Sequence, residues 1–86
     1  MEKNKSFLRE EIDVIDDKIT TLLINRFALA RQIGEIKRAE GHAIKDEKRE
    51  REVLNKVSSF AVSEGEKEAL TAIYTCIMNQ CSNMQK

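Results

Sequence analysis

The chain has 86 residues, and its fifteen lysines and arginines balance fifteen aspartates and glutamates, so the formal charge is zero. That length supports one small domain spanning residues 1–86 and excludes two, while the charge balance argues against a nucleic-acid binder, which carries a basic excess. No stretch approaches the roughly twenty apolar residues of a membrane span, and the opening MEKNKSFLREEI holds no apolar run of signal-peptide length.

Proline is absent and glycine occurs three times, a composition that favours uninterrupted helix. The first predicted helix starts near Ser6, an N-cap residue type, and runs to about Ala39, with Gly41 as its C-terminal signal. Leu8, Ile12, Ile15, Ile19, Leu22, then Arg26, then Leu29, Ile33 and Ile36 recur at alternating steps of four and three, a heptad-like seam that no strand period fits. A rod of this length spans roughly 50 Å, whereas a globule of this size has a radius of gyration of about 12 Å. Two shorter helices cannot cover the whole seam, so the expected fold is an all-α, three-helix chain paired with a second copy in a symmetric dimer.

The polar loop EGHAIK follows. The second helix is predicted from near Asp46, carrying Val53, Leu54, Val57, Phe60 and Ala61, and stopping around the SEG at 63–65. The third starts near Glu66 and carries Leu70, Ile73, Tyr74, Ile77, Met78, Cys81 and Met84 to the end. Cys76 and Cys81, five apart on that helix, point to different sides and do not bridge each other, which fits a reduced, cytoplasmic protein. No metal-ligand spacing is present, and a single histidine, His42, builds no metal site.

Several polar residues fall where the apolar stripes predict hydrophobic ones. Arg26 interrupts the long seam between Leu22 and Leu29; its charge is permanent and needs a partner when buried. Lys37 lies eleven residues on, about 20° round the helix and about 16 Å along it, with Ala30 and Gly34 between the two leaving room for a small guest. Asp46, Arg49 and Glu50 stand at the head of the second helix's stripe, and Gln85 ends the third's. Each has a plainer reading: a register-setting salt bridge for Arg26, a snorkelling lysine at 37, a cap at Asp46, a first-turn acid at Glu50, a small core residue at Cys81. Together they describe a preorganised polar pocket in which cations dominate, suited to an anionic small ligand.

The stretch LREEIDVIDDKITTLLINRFALARQIGEIK, then KDEKREREVL, then a terminal helix with Cys81 and Gln85 four apart, resembles the all-helical chorismate mutases, most closely the small bacterial homodimeric type. The resemblance runs from Leu8 to Gln85. It implies an intertwined antiparallel homodimer with two shared sites, and conversion of chorismate to prephenate in phenylalanine and tyrosine biosynthesis. That reaction is an intramolecular Claisen rearrangement and uses no cofactor, metal or covalent intermediate. It proceeds by holding the dianionic substrate in a compact chair and stabilising the negative charge that grows on the ether oxygen.

Carried over by resemblance, Arg26 binds one substrate carboxylate, Lys37 contacts the ether oxygen and a carboxylate, and Gln85 donates a second hydrogen bond to that oxygen. Asp46 and Glu50 hold the ring hydroxyl, and Arg49 orders the shell. Arg9 binds the other carboxylate from the partner chain. Arg9 and Lys37 are 28 residues apart on one helix, roughly 42 Å, so both reach one ligand only across an antiparallel dimer. Cys81 departs from the family pattern, where serine commonly offers a hydroxyl to a carboxylate; a thiol is the weaker donor. Two rivals are a pyruvate lyase of similar fold acting on isochorismate, and a non-catalytic dimerisation module whose buried charges only set register.

Overall fold

The structure, a computed structural model, describes residues 4–86. Among these residues there are three helices and no strand: α1 (Lys5–Glu40), α2 (Glu47–Ser58) and α3 (Glu64–Gln85). The all-α expectation holds, and α1 is the long rod its periodicity describes.

Helix α1 begins earlier than Ser6 because Asn4 takes the capping role: its side-chain oxygen accepts from Phe7 N at 2.8 Å, and asparagine caps as strongly as serine. Ser6 therefore sits inside the first turn. At the other end Gly41 adopts φ 73°, its N–H donates to Arg38 O, and His42 N donates to Lys37 O at 2.8 Å. This pair of bonds is a Schellman motif, which needs a left-handed residue and so favours glycine. Lys37 and Arg38 in the last turn face its negative pole.

The α2–α3 junction corrects the sequence reading. Helix α2 ends at Ser58, so Phe60 and Ala61 belong to the connector. The Ser58 and Ser59 hydroxyls donate back to Asn55 O and Lys56 O, and Phe60 N and Ala61 N bond three residues back instead of four, which tightens and closes the helix. Ser63 accepts from Glu66 N at 3.2 Å while Glu66 Oε1 accepts from Val62 N at 2.9 Å. This near capping box starts α3 at Glu64, two residues before the expected Glu66.

Helix α3 packs on both α1 and α2. The buried residues are few: Ala30 and Gly34 on α1, Met78 and Cys81 on α3. Gly34 is where α3 presses closest. A Cβ there would stand 2.5 Å from the backbone oxygen of Gln85 and 2.6 Å from its Cα, inside contact distance. The room at Gly34 is thus filled by the last turn of α3, whereas the sequence reading had left it to a guest.

The rest of α1 stands clear. The molecule measures 59 × 26 × 14 Å with a radius of gyration of 16.4 Å, well above the ~12 Å of a compact globule of this length. Leu8, Ile12, Ile15, Ile19, Leu22, Leu29, Ile33 and Ile36, the whole predicted seam, are exposed in the single chain. Burying one such side chain fully is worth about 1.5–3 kcal/mol.

Candidate active site

A pocket of about 370 Å³ opens where the C-terminal half of α1, the start of α2 and the end of α3 meet. Its apolar floor is Leu29, Ala30 and Ile33 of α1, with Val53 of α2 and Met78 of α3. Onto that floor come Arg26 and Lys37 from α1, Asp46, Arg49 and Glu50 from the head of α2, and Cys81, Ser82 and Gln85 from α3. The size falls within the usual range for small-molecule sites, roughly 300–1,000 Å³. Three cations face two carboxylates.

Seven of the eight residues singled out in the sequence line this one pocket; Arg9 does not. Arg9 lies exposed in the second turn of α1, 28 residues and roughly 42 Å of helix from Lys37.

Lys37 is held by two hydrogen bonds. It is half-buried, and its Nζ donates to the Ile44 carbonyl at 2.6 Å and to Gln85 Oε1 at 3.2 Å. An ammonium has three donors, so one N–H is left. The same bond orients Gln85. Lysine has nothing to accept with, so the amide must turn its oxygen toward Lys37, and its NH₂ remains as a second donor.

Arg26 is half-buried, and its Nη1 donates to Cys81 Sγ at 2.8 Å. Sulfur is a weak acceptor, and among the described residues Arg26 is in no ion pair. Its other N–H groups are available to an incoming anion. Cys81 is only 4% exposed and serves Arg26 as an acceptor in this arrangement.

At the head of α2 the two carboxylates differ. Asp46 is the N-cap, its Oδ1 accepting from Arg49 N at 3.0 Å. Glu50, half-buried, pairs with Lys45 at 3.2 Å. Both line the pocket, and a carboxylate keeps lone pairs beyond one such bond, which only a hydrogen-bond donor satisfies. A second, smaller concavity of about 260 Å³ shares Arg26, Arg49 and Val53 with the first and is otherwise bounded by Glu52, Lys56, Val57, Phe60 and Tyr74. Arg26, Arg49 and Val53 therefore stand between the two.

Sequence reasoning missed the Ile44 carbonyl and Ser82. Ile44 is an apolar residue in a polar loop, and it contributes through its backbone, which the side-chain pattern does not report. Ser82 sits beside Cys81 and lines the pocket without falling on the stripe. Among the described residues, no group of three His, Cys, Asp or Glu side chains is placed to hold a metal ion.

The comparisons with known proteins agree with this geometry. Residues 8–86 match the family described as chorismate mutase type II. The chain is 41% identical over 83 residues to the bifunctional chorismate mutase/prephenate dehydratase of Aquifex aeolicus (strain VF5). The match covers 92% of this chain and 23% of that relative, so the chain spans about a quarter of the relative's length. Among solved structures, a conserved hypothetical protein from Pyrococcus furiosus superposes with a TM-score of 0.79 at 32% identity, covering 98% of this chain and 100% of the other. A three-helix chain whose residues 8–86 match this family's pattern belongs to the chorismate mutase type II family.

Proposed function

We propose that this chain converts chorismate to prephenate, as one domain acting in a cytoplasmic homodimer with two shared active sites. The observation that carries the reading is the Lys37–Gln85 pair. Beyond their mutual bond, the ammonium keeps one N–H and the amide its NH₂, and both residues line the pocket that also holds Arg26. Two fixed donors side by side are what a developing charge on an ether oxygen needs, because they stabilise it more as the C–O bond breaks than before.

The remaining groups then take their roles from position. Arg26 binds one carboxylate. Its Cys81 contact is weak enough to yield donors to the substrate yet holds the guanidinium in place. Glu50 and Asp46 accept from the ring hydroxyl, and Arg49 stands over the same end. The bound molecule is held in the chair that brings its bond-forming carbons together, and this positioning lowers the barrier. No proton transfer, nucleophile or cofactor enters the rearrangement.

The second carboxylate falls to Arg9 of a partner copy. Two features support this. The α1 seam is left uncovered over its full length, and a second α1 packed antiparallel would both cover it and bring Arg9 to the Lys37 end. With that arginine the site would oppose four cations to two carboxylates, a match for a dianion.

The test is direct. Purified protein is given chorismate, and separately isochorismate, while substrate and products are followed by absorbance and chromatography, with the sedimentation mass measured alongside. Prephenate formation from chorismate by a species of twice the chain mass is expected. Pyruvate from isochorismate with no prephenate from chorismate would overturn the reading in favour of a lyase, and no turnover of either would favour a dimerisation module.

A further inference from the structure

We propose that Arg38 is a positioning residue for this reaction: by holding the Gln85 carbonyl it fixes the last turn of α3 on α1 and so aims the Gln85 amide. The inference rests on the mutase reading for its kinetic consequence and on the geometry alone for its structural one.

Three positions of α1 grip the same residue. Gly34 receives the Gln85 backbone, with no room for even a methyl group between them. Lys37 Nζ holds the side-chain oxygen at 3.2 Å. Arg38 Nη1 donates to the main-chain oxygen. Positions 34, 37 and 38 are spaced i, i+3 and i+4, which places them on one face of the helix. One turn earlier on the same face, Arg31 reaches Met84 Sδ at 3.3 Å.

This grip answers a need of the backbone. Carbonyls in the last turn of a helix have no N–H four residues on, and helix ends fray. Gln85 closes α3, and the following N–H, of Lys86, turns back to Asn83 O. Among the described residues no backbone N–H donates to the Gln85 carbonyl, and Arg38 supplies a donor that is permanently charged and therefore stronger than a neutral one. Its charge also opposes the negative pole of α3. Lys37 and Gln85 alone would form a pair on a loose turn; with Arg38 and Gly34 the amide has a fixed origin. Arg38 is exposed and lines no part of the pocket, so its effect passes through Gln85.

The experiment is a double-mutant cycle with Arg38→Ala, Arg38→Lys, Gln85→Ala and the Arg38→Ala/Gln85→Ala double variant, read as kcat and KM for chorismate and as amide hydrogen exchange of residues 82–86. A misplaced donor predicts that Arg38→Ala lowers kcat about tenfold and leaves KM within about twofold. Arg38→Lys restores most of the loss. In the Gln85→Ala background, Arg38→Ala changes kcat less than about twofold, because the two residues act as one unit. Exchange of the α3 end quickens in Arg38→Ala while that of α2 is unchanged. Losses that multiply, an unchanged kcat, a change confined to KM, or unaltered exchange would each overturn the proposal. If the unaltered protein turns over no chorismate, the mutase reading falls, and the exchange result alone decides whether Arg38 holds the turn.

Discussion

Lys37 and Gln85 meet at 3.2 Å between ammonium and amide oxygen, although they come from different helices and are 48 residues apart. The contact fixes which way the amide faces, and it makes the chemistry of position 85 a matter of donors. Replacing Gln85 with glutamate removes the donor whenever the carboxylate is ionised. Turnover of Gln85→Glu at neutral pH is expected to fall by about 10²–10³. A glutamate donates only when protonated, so its kcat/KM rises as pH falls toward the carboxylate range, whereas the unaltered protein, with no such group at 85, lacks that acid limb. A pH–rate profile of the two proteins checks this.

The cations are separable from the fold. Arg26→Ala and Lys37→Ala each remove a partly buried charge from a pocket edge and leave no opposite charge stranded, since neither is in an ion pair among the described residues. Both variants are expected to keep their helical content by circular dichroism and to lose about 10²–10³ in kcat/KM. A Lys37→Ala protein with full activity would sink the mechanism. Arg26→Leu is expected to fold at least as well as the original and to be inactive, whereas a register-setting arginine would leave nothing for an assay to lose.

Subunit mixing tests the sharing of the site. In the proposed homodimer, Arg9→Ala and Lys37→Ala each damage both sites. A heterodimer of the two has one site with both residues intact. Random exchange after equimolar mixing therefore restores about a quarter of the original activity, by the combinatorics of a two-fold dimer. No recovery on mixing would place Arg9 outside the site.

Asp46 carries a structural duty that Glu50 does not. Its Oδ1 caps α2 through Arg49 N, and loss of such a cap costs about 1 kcal/mol. Asp46→Ala is expected to lower stability by that amount in urea titration. Asp46→Asn keeps the cap and the stability. Glu50→Gln, which caps nothing, leaves the urea midpoint unchanged and weakens turnover.

Much of the site was legible because helical phase is a local property. Arg26 betrayed itself by standing on a hydrophobic seam, and Asp46 and Gln85 by extending stripes. Gly41 and Asp46 marked helix ends through short-range backbone rules that do not depend on the rest of the fold. What was hidden was relational. Gly34 read as empty space because the phase of α1 does not say which neighbour approaches it. Nothing in the sequence pattern marks Arg38, because its hold on Gln85 exists only once α3 crosses that end. The α2 boundary was lost because Phe60 and Ala61 continue the apolar pattern, while the serines at 58 and 59 close the helix through their own hydroxyls. The S-x-x-E at 63–66 was a legible start signal that was taken for a stop.

Among the described residues only Ala30, Met78 and Cys81 are apolar side chains shut away from water, so a lone chain has almost no interior there. In the proposed dimer, folding and association become a single equilibrium. The melting temperature is then expected to climb with protein concentration by mass action, and extreme dilution to strip away helicity and turnover together. An assay run at very low enzyme levels would read that loss as weak specific activity, and adding more of the same polypeptide would cure it.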